Sequence, residues 1–435
     1  LDRGIQKTLD CTVGPDNGKS LMTYRCLYRK QDGFTLVELM ITMVIFVIAM
    51  VAASNIFTGI LTQFKQQSSI AESNIEGIGG LELVRHDVEQ AGFGLPWNMS
   101  GANYSEAAAN AYDPTIPAIT ADLYNDATTN VPRAIIVGNN VLMNGSDVLT
   151  IKATNVATNA ASQKWEYIVN NGNLPNMLRD WGGSANPNEL LAATDHVIIL
   201  NPSAGVNNRR ILMNSGGFDV LLNSTPAFDG TATASPFEPP AGSYTAYLVY
   251  GVSPGPAALR MPFNRADFYI KRPANAAEIP TRCQANTGVL YKATVNHNGG
   301  GLTELPLLDC VLDMQVVLAL DSTGSGSANL WIGLPNDGNG NPGNAMSPLT
   351  AQDVRSQLKE IRIYLIVQEG QRDISYTFVN PDPTAPASDK SMIYVRDPNI
   401  PGNNVYGATK NGYTVPDLNY RWKLHTIVVT PYNLQ

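Results

Sequence analysis

The sequence predicts an α+β fold: a long N-terminal helix, membrane-spanning in its first half and amphipathic in its second, packed on a large antiparallel β-rich head. Three observations predict it. Apart from Glu38, no charged residue occurs from Phe34 until Lys65, and no proline occurs between Pro15 and Pro96, so one helix can run unbroken. Beyond Pro96 the apolar residues fall into short runs separated by glycine, asparagine and proline, the pattern of strands and turns. Charged residues are only 15% of the chain, a composition that favours a loop-rich β structure over a helical one.

The elements follow in order. Residues 1–33 form a polar N-terminal segment with basic residues Arg25, Arg29 and Lys30 near its end. Residues 34–62 are apolar, and roughly 20 such residues cross a bilayer as a helix. The basic flank holds the N-terminal side in the cytoplasm, so the remainder is exported across the inner membrane. Residues 63–94 continue as an amphipathic helix: Ile70, Ile75, Ile78, Leu81, Val84 and Val88 face a sheet, and Arg85, His86, Asp87 and Glu89 face water. Gly77, Gly79 and Gly80 should bend it, and the Ala91–Pro96 stretch should end it.

Residues 95–435 make the head. Strands are expected at 133–137 and 147–152 around the turn Asn144-Gly145-Ser146, then at 196–200, 246–251, 268–271, 310–320, 358–368, 374–379 and 420–430. In 358–368, Ile361, Ile363, Leu365 and Val367 alternate with more polar residues, as in a half-buried strand. Long connections such as 98–130 and 153–194 are functional or disordered in a compact domain. Trp165 and Trp181 fall in one of them and read as the small core of an Ω-loop.

Glu38 is the unusual residue. A carboxylate within a bilayer-spanning helix costs about 2.5–3.5 kcal/mol on insertion scales, so such an acid reads as functional. A secretory signal peptide has a shorter apolar region of about 7–15 residues followed by its cleavage site. Here the run is longer and Gly33 precedes it.

The stretch Gly33-Phe34-Thr35-Leu36-Val37-Glu38 resembles the class III signal of type IV pilins and pseudopilins. The resemblance implies that a prepilin peptidase cuts between Gly33 and Phe34 and N-methylates Phe34, making residues 1–33 a leader peptide. It also implies that Glu38 meets the new ammonium of a neighbouring subunit, a pairing that neutralises a charge in an apolar core. Later blocks look like the PilW group of minor pilins: Leu81–Phe93, Gly145–Thr150, Leu307–Val316 and Tyr420–Lys423. J-type pseudopilins of type II secretion look similar.

On that resemblance the chain is expected to be a minor pilin that helps initiate or cap type IV pilus assembly, inserting its N-terminal helix in the filament core and presenting its large head at the tip. Its partners would be other minor and major pilins, the pilus assembly platform and a PilY-type tip adhesin. The alternatives are a J-type pseudopilin and an adhesin-like tip subunit.

Cys11 and Cys26 lie in the leader, which leaves Cys283 and Cys310 as the pair available for a disulfide in the exported part. The leader carries six basic and four acidic residues, so the formal charge of −8 becomes −10 for the remainder. With no basic stripe, no nucleic-acid partner is expected.

Catalytic chemistry is not expected. Gly14–Ser20 is one residue short of a phosphate-binding loop and lacks the flanking strand and helix. His86, His196, His297 and His425 have no paired spacing. Asp337, Asn339 and Asn341 offer alternating oxygens, as a Ca²⁺ loop begins. Pro342 and Pro348 stand where an EF-hand needs glycine and glutamate, so the stretch reads as a solvated loop and no cofactor is assigned.

Overall fold

In the computed structural model, the structure describes residues 9–12, 25–28, 34–170, 176–177, 191–192, 194–202, 209–221, 237–240, 242–255, 257–334, 349–382, 386–400, 405 and 412–434. The chain divides into two compact units, Leu1–Gln66 and Gln67–Gln435.

In the first unit, β1 (Leu9–Thr12) and β2 (Arg25–Tyr28) pair antiparallel, with Cys11 opposite Cys26. The helix α1 (Leu36–Glu89) then begins, and its Leu36–Lys65 portion is long and apolar enough to cross a membrane. At 1.5 Å per residue a stretch of that length extends about 45 Å. Its apolar side chains, from Phe34 and Leu36 to Ile60 and Phe64, are exposed.

The second unit is antiparallel β. Its strands are β3 (Ile135–Gly138), β4 (Val148–Ala153), β5 (Trp165–Asn170), β6 (Asn176–Met177), β7 (Asp195–Asn201), β8 (Ile211–Leu212), β9 (Asp219–Leu221), β10 (Ser243–Pro254) and β11 (Asn264–Lys271). They continue with β12 (Gly288–Val295), β13 (Leu302–Leu320), β14 (Leu330–Ile332), β15 (Leu358–Glu369), β16 (Met392–Ile393), β17 (Tyr413–Thr414) and β18 (Arg421–Val429), with a short α2 (Ala351–Gln357) before β15. The larger sheet has the order β18-β15-β13-β12-β11-β4-β3, with β14 on β13; a smaller one has the order β6-β5-β10-β7-β8, with β9 on β7.

The main core joins α1 (Val84, Val88) to inward residues of both sheets, among them Ile151, Ile198, Leu200, Val252, Phe268 and Leu290. A second core lies on the other face of β13 and β15, where Leu312, Val317, Tyr364 and Ile366 meet Phe378, Ile393, Val395, Val415 and Trp422. The strand read as half-buried is therefore covered on both faces. Its Tyr364 and Ile366 belong to the second core, while Ile361, Ile363 and Leu365 belong to the first.

Other expectations are corrected. Gly77 and Gly80 serve close approach, a Cβ on Gly79 would meet open space, and the helix assignment continues through all three. A Cβ on Gly80 would sit 2.2 Å from the Leu307 carbonyl oxygen, and one on Gly77 would sit 3.1 Å from Leu308 Cδ1. Val84 and Val88 are buried as read, but Ile78 is 67% exposed; the side chains of Ile70 and Ile75 lie outside the described residues.

Asp87, expected in water, is buried and paired with Lys292 of β12. Burial pushes its carboxyl above the ordinary range even with Lys292 and His86 opposing that shift. Residues 374–379 form no strand. The Asp373 carboxylate accepts from Ser375 N at 3.0 Å and Oγ at 2.6 Å, turning the chain.

Trp165 stands on β5, opposite Tyr250 of β10, rather than in an Ω-loop; Trp181 lies outside the described residues. Cys283 and Cys310 form a disulfide, Cα–Cα 5.0 Å, that ties the β11–β12 connection to β13. Cys310 has φ 55°, and the register of β13 shifts around it, as at a β-bulge.

Candidate functional site

The first candidate is the start of α1. Gly33 lies outside the described residues, and Phe34 begins the described helix entry with its ring exposed. Thr35 and Glu38 close on each other. The Glu38 Oε2 accepts from Thr35 N at 2.8 Å and from Thr35 Oγ1 at 2.9 Å, and Glu38 N donates back to Thr35 Oγ1 at 3.3 Å. This is a capping box, which satisfies amides that a helix start leaves free and puts a carboxylate at the positive end of the helix dipole. Thr35 was not singled out from the sequence, although Thr-x-x-Glu before an apolar run is the signature that would have found it. Within the described chain, all the groups touching the Glu38 carboxylate are neutral.

The head holds a second polar centre. Arg265 on β11 is fully buried and donates through Nε to Asp267 Oδ1 at 2.8 Å, through Nη2 to Asp267 Oδ2 at 2.9 Å, and through Nη1 to Asn125 Oδ1 at 2.6 Å. Lys152 on β4 reaches Asp126 Oδ2 and Glu106 Oε2, both at 2.7 Å, and Arg133 Nε reaches Asp126 Oδ1 at 2.8 Å.

Burial alone would raise Asp126, but Lys152 and Arg133 outweigh it and hold the carboxyl below its ordinary range. Tyr112 donates to Asp267 Oδ2 at 2.7 Å, and its hydroxyl is pushed far upward, by burial first and by Asp267 next. These groups pair with each other across a sealed interior. They fasten the long 98–130 connection to the sheet, so that connection is structural where it was read as functional or disordered.

The histidines read as isolated are not all so. His196 Nδ1 lies 2.9 Å from Asp219 Oδ2, and both groups act electrostatically on His297. Arg260 N donates to His297 Nδ1 at 3.2 Å, and His297 Nε2 lies 3.0 Å from Asn264 Oδ1. The ring is thus neutral with its proton on Nε2, and burial, chiefly, pushes its pKa down to about 4. No sequence spacing announces this cluster, because its members come from four separate segments.

Among the described residues, no group of three or more His, Cys, Asp or Glu is arranged to hold a metal. Asp337, Asn339, Asn341 and the Gly14–Ser20 stretch lie outside those residues. A hollow of about 120 Å³ lined by Gly77, Leu308, Glu369, Lys423 and His425 is below the roughly 300–1,000 Å³ of small-molecule sites.

A family model described as the prokaryotic N-terminal methylation motif matches residues 28–54, which contain the capping box and the first half of the apolar helix. No curated protein matches the chain. Among solved structures, a type IV-like pilin from Thermus thermophilus is similar at 11% identity, covering 40% of this chain and 70% of that one. Its TM-score of 0.22 is too low to equate the two folds. An exposed apolar helix, long enough to cross a membrane, thus opens on the matched prokaryotic N-terminal methylation motif.

Proposed function

We propose that this protein is a minor pilin: its leader is removed between Gly33 and Phe34, Phe34 is N-methylated, and α1 joins the core of a type IV filament at or near its tip. The observation that carries this reading is the coincidence, at one helix start, of the methylation motif and an exposed apolar helix of membrane-spanning length. An apolar helix with no cover among the described residues is stable in lipid or against other helices, and a filament core exchanges the first for the second. Before assembly the helix lies in the inner membrane and the head in the periplasm, where the Cys283–Cys310 disulfide can form and persist.

Head size supports a rare position. A domain of some 340 residues has a radius of gyration near 20 Å. Helix axes in a packed bundle stand about 8–10 Å apart, so heads of this bulk would crowd at every step of a shaft. Partners on this reading are the prepilin peptidase, the assembly platform, other minor and major pilins and a PilY-type adhesin. Gly33→Ala tests the core of it: the chain should keep precursor mass in membranes of the producing cell. Maturation of that variant to a Phe34 N-terminus would overturn the cleavage assignment.

A further inference from the structure

The paired cations of the large unit set a rule. Lys152 faces Glu106 and Asp126, Arg265 faces Asp267, Lys292 faces Asp87, and Arg362 faces Asp397 and Glu360. Arg210 and Arg355 break it. Their Cζ atoms lie 5.1 Å and 5.0 Å from the ring centroid of Trp97, and neither makes an ion pair among the described residues. Arg210 Nη1 donates to the Gly92 carbonyl at 2.9 Å. Arg355 Nη1 is buried with no hydrogen-bond partner among the described residues.

Separate segments hold the three side chains together. Trp97 N donates to the Arg210 carbonyl at 2.9 Å just past the end of α1, and Leu212 N donates to the Asn98 carbonyl at 2.9 Å. Arg355 rides on α2, whose start is fixed by a capping box. The acid of that helix, Asp353, is engaged by Thr350 N at 2.9 Å, Thr350 Oγ1 at 2.6 Å and Gln357 Nε2 at 3.2 Å. It is therefore already committed as a cap.

Cation–π contact with one indole offsets part of the cost of two half-buried guanidiniums, but it supplies neither a counter-charge nor an acceptor for Arg355 Nη1. We propose that Arg210, Arg355 and Trp97 form a binding site for an oxyanion, either a phosphate-type group or a carboxylate. The planar fork of a guanidinium matches two oxygens of such a group. An anion there also screens the repulsion between the two cations. Burial first, and the Arg210 charge second, press the Arg355 guanidinium down to about 10, still charged at neutral pH. In a chain of net charge −8 the site is a local exception and not part of a general basic surface.

The test is calorimetric titration of the full chain in non-ionic detergent at fixed ionic strength, with sodium phosphate in one arm and sodium acetate in the other. Saturable heat in the millimolar range is expected. Binding in the phosphate arm alone identifies a phosphate-type ligand; binding in the acetate arm as well identifies a carboxylate site. Arg355→Gln should weaken binding about tenfold, the loss of one charge-assisted contact, and Arg355→Lys should lose less because the charge remains. Arg210→Gln should act likewise, and Arg355→Gln decides if the Arg210 variant does not fold. No saturable heat in either arm, or unchanged affinity in a folded Arg355→Gln variant, overturns the proposal.

Discussion

Acid should loosen the head through His297 in a pH window of its own. In the folded chain Nδ1 accepts from Arg260 N and Nε2 faces Asn264 Oδ1, whose amide nitrogen in turn donates to Thr154 O at 2.6 Å and to Val252 O at 2.9 Å. Protonating Nδ1 would set one N–H against another at a junction of β10, β11 and the β12–β13 turn. The folded pKa of about 4 lies below the ordinary 6.5, so the unfolded chain takes up the proton first as pH falls. The stability is whole above pH 6.5 and is lost between 6.5 and 4. Linkage puts the loss at about 2 kcal/mol by pH 5 and about 3 kcal/mol by pH 4. Asp219 offsets part of this shift, while His196 and Arg260 reinforce the effect of burial. Carboxyls held below their ordinary range, such as Asp126 and Asp397, act in a lower window as pH falls through and below 3.8. The assay is urea unfolding of the full chain in non-ionic detergent, followed by tryptophan fluorescence from pH 7.5 to 4. His297→Gln, which keeps a donor and an acceptor but cannot titrate, should flatten the curve by about 2 kcal/mol at pH 5. Parallel curves for the two proteins would refute the reasoning.

Gly80→Ala should lower stability, because overpacking against the Leu307 carbonyl at 2.2 Å costs about 1–3 kcal/mol while helix propensity returns about 1 kcal/mol; a raised unfolding midpoint would contradict the close approach. Reduction of the Cys283–Cys310 disulfide, which closes a loop of sequence separation 27, should cost about 3–4 kcal/mol, and intact mass should rise by two hydrogens. Glu38→Gln should leave leader removal intact, retain the contacts with Thr35 and still impair filament assembly, scored in sheared surface fibres; normal fibre recruitment would reduce Glu38 to a helix cap.

Much of the architecture was legible because periodicity is a local property. The unbroken α1, the β3–β4 pair around Asn144-Gly145 and the long β13, β15 and β18 strands all announce themselves in apolar spacing. What stayed hidden depends on distant partners. The β12 strand reads Gly-Val-Leu-Tyr-Lys-Ala-Thr-Val, and its Lys292 looks solvent-facing until Asp87, far back on α1, is placed beside it. For the same reason Asp87 was assigned to water. Residues 374–379 carry strand-like Ile374 and Val379, yet both are exposed, and the Asp373–Ser375 turn takes the backbone instead. At the helix start, the glycine, acid and apolar run were read from the sequence, and Thr35, passed over there, was legible too as the first residue of a Thr-x-x-Glu capping box. The Trp97, Arg210 and Arg355 cluster had no spacing to betray it at all.

The two units treat charge differently, and that difference bears on how the proposed subunit assembles. Inside the head, the buried ions Asp87, Asp267 and Arg362 find partners of opposite charge in their own chain. Such pairs are complete before any other molecule arrives. The Glu38 carboxylate sits among exposed apolar neighbours and, among the described residues, is met only by Thr35, whose amide and hydroxyl lower the cost of the charge without cancelling it. Neutral donors suffice at a helix end facing water or lipid headgroups, since the helix dipole and solvent supply the rest. They do not suffice among packed helices, where an unpaired carboxylate costs several kcal/mol. On the proposed assembly the counter-charge comes from another subunit. On the proposed processing, the amine created at Phe34 of an adjoining subunit is one that appears only after maturation, so an uncut subunit would carry Glu38 into the filament core without its counter-charge. The same residue would thereby couple leader removal to assembly.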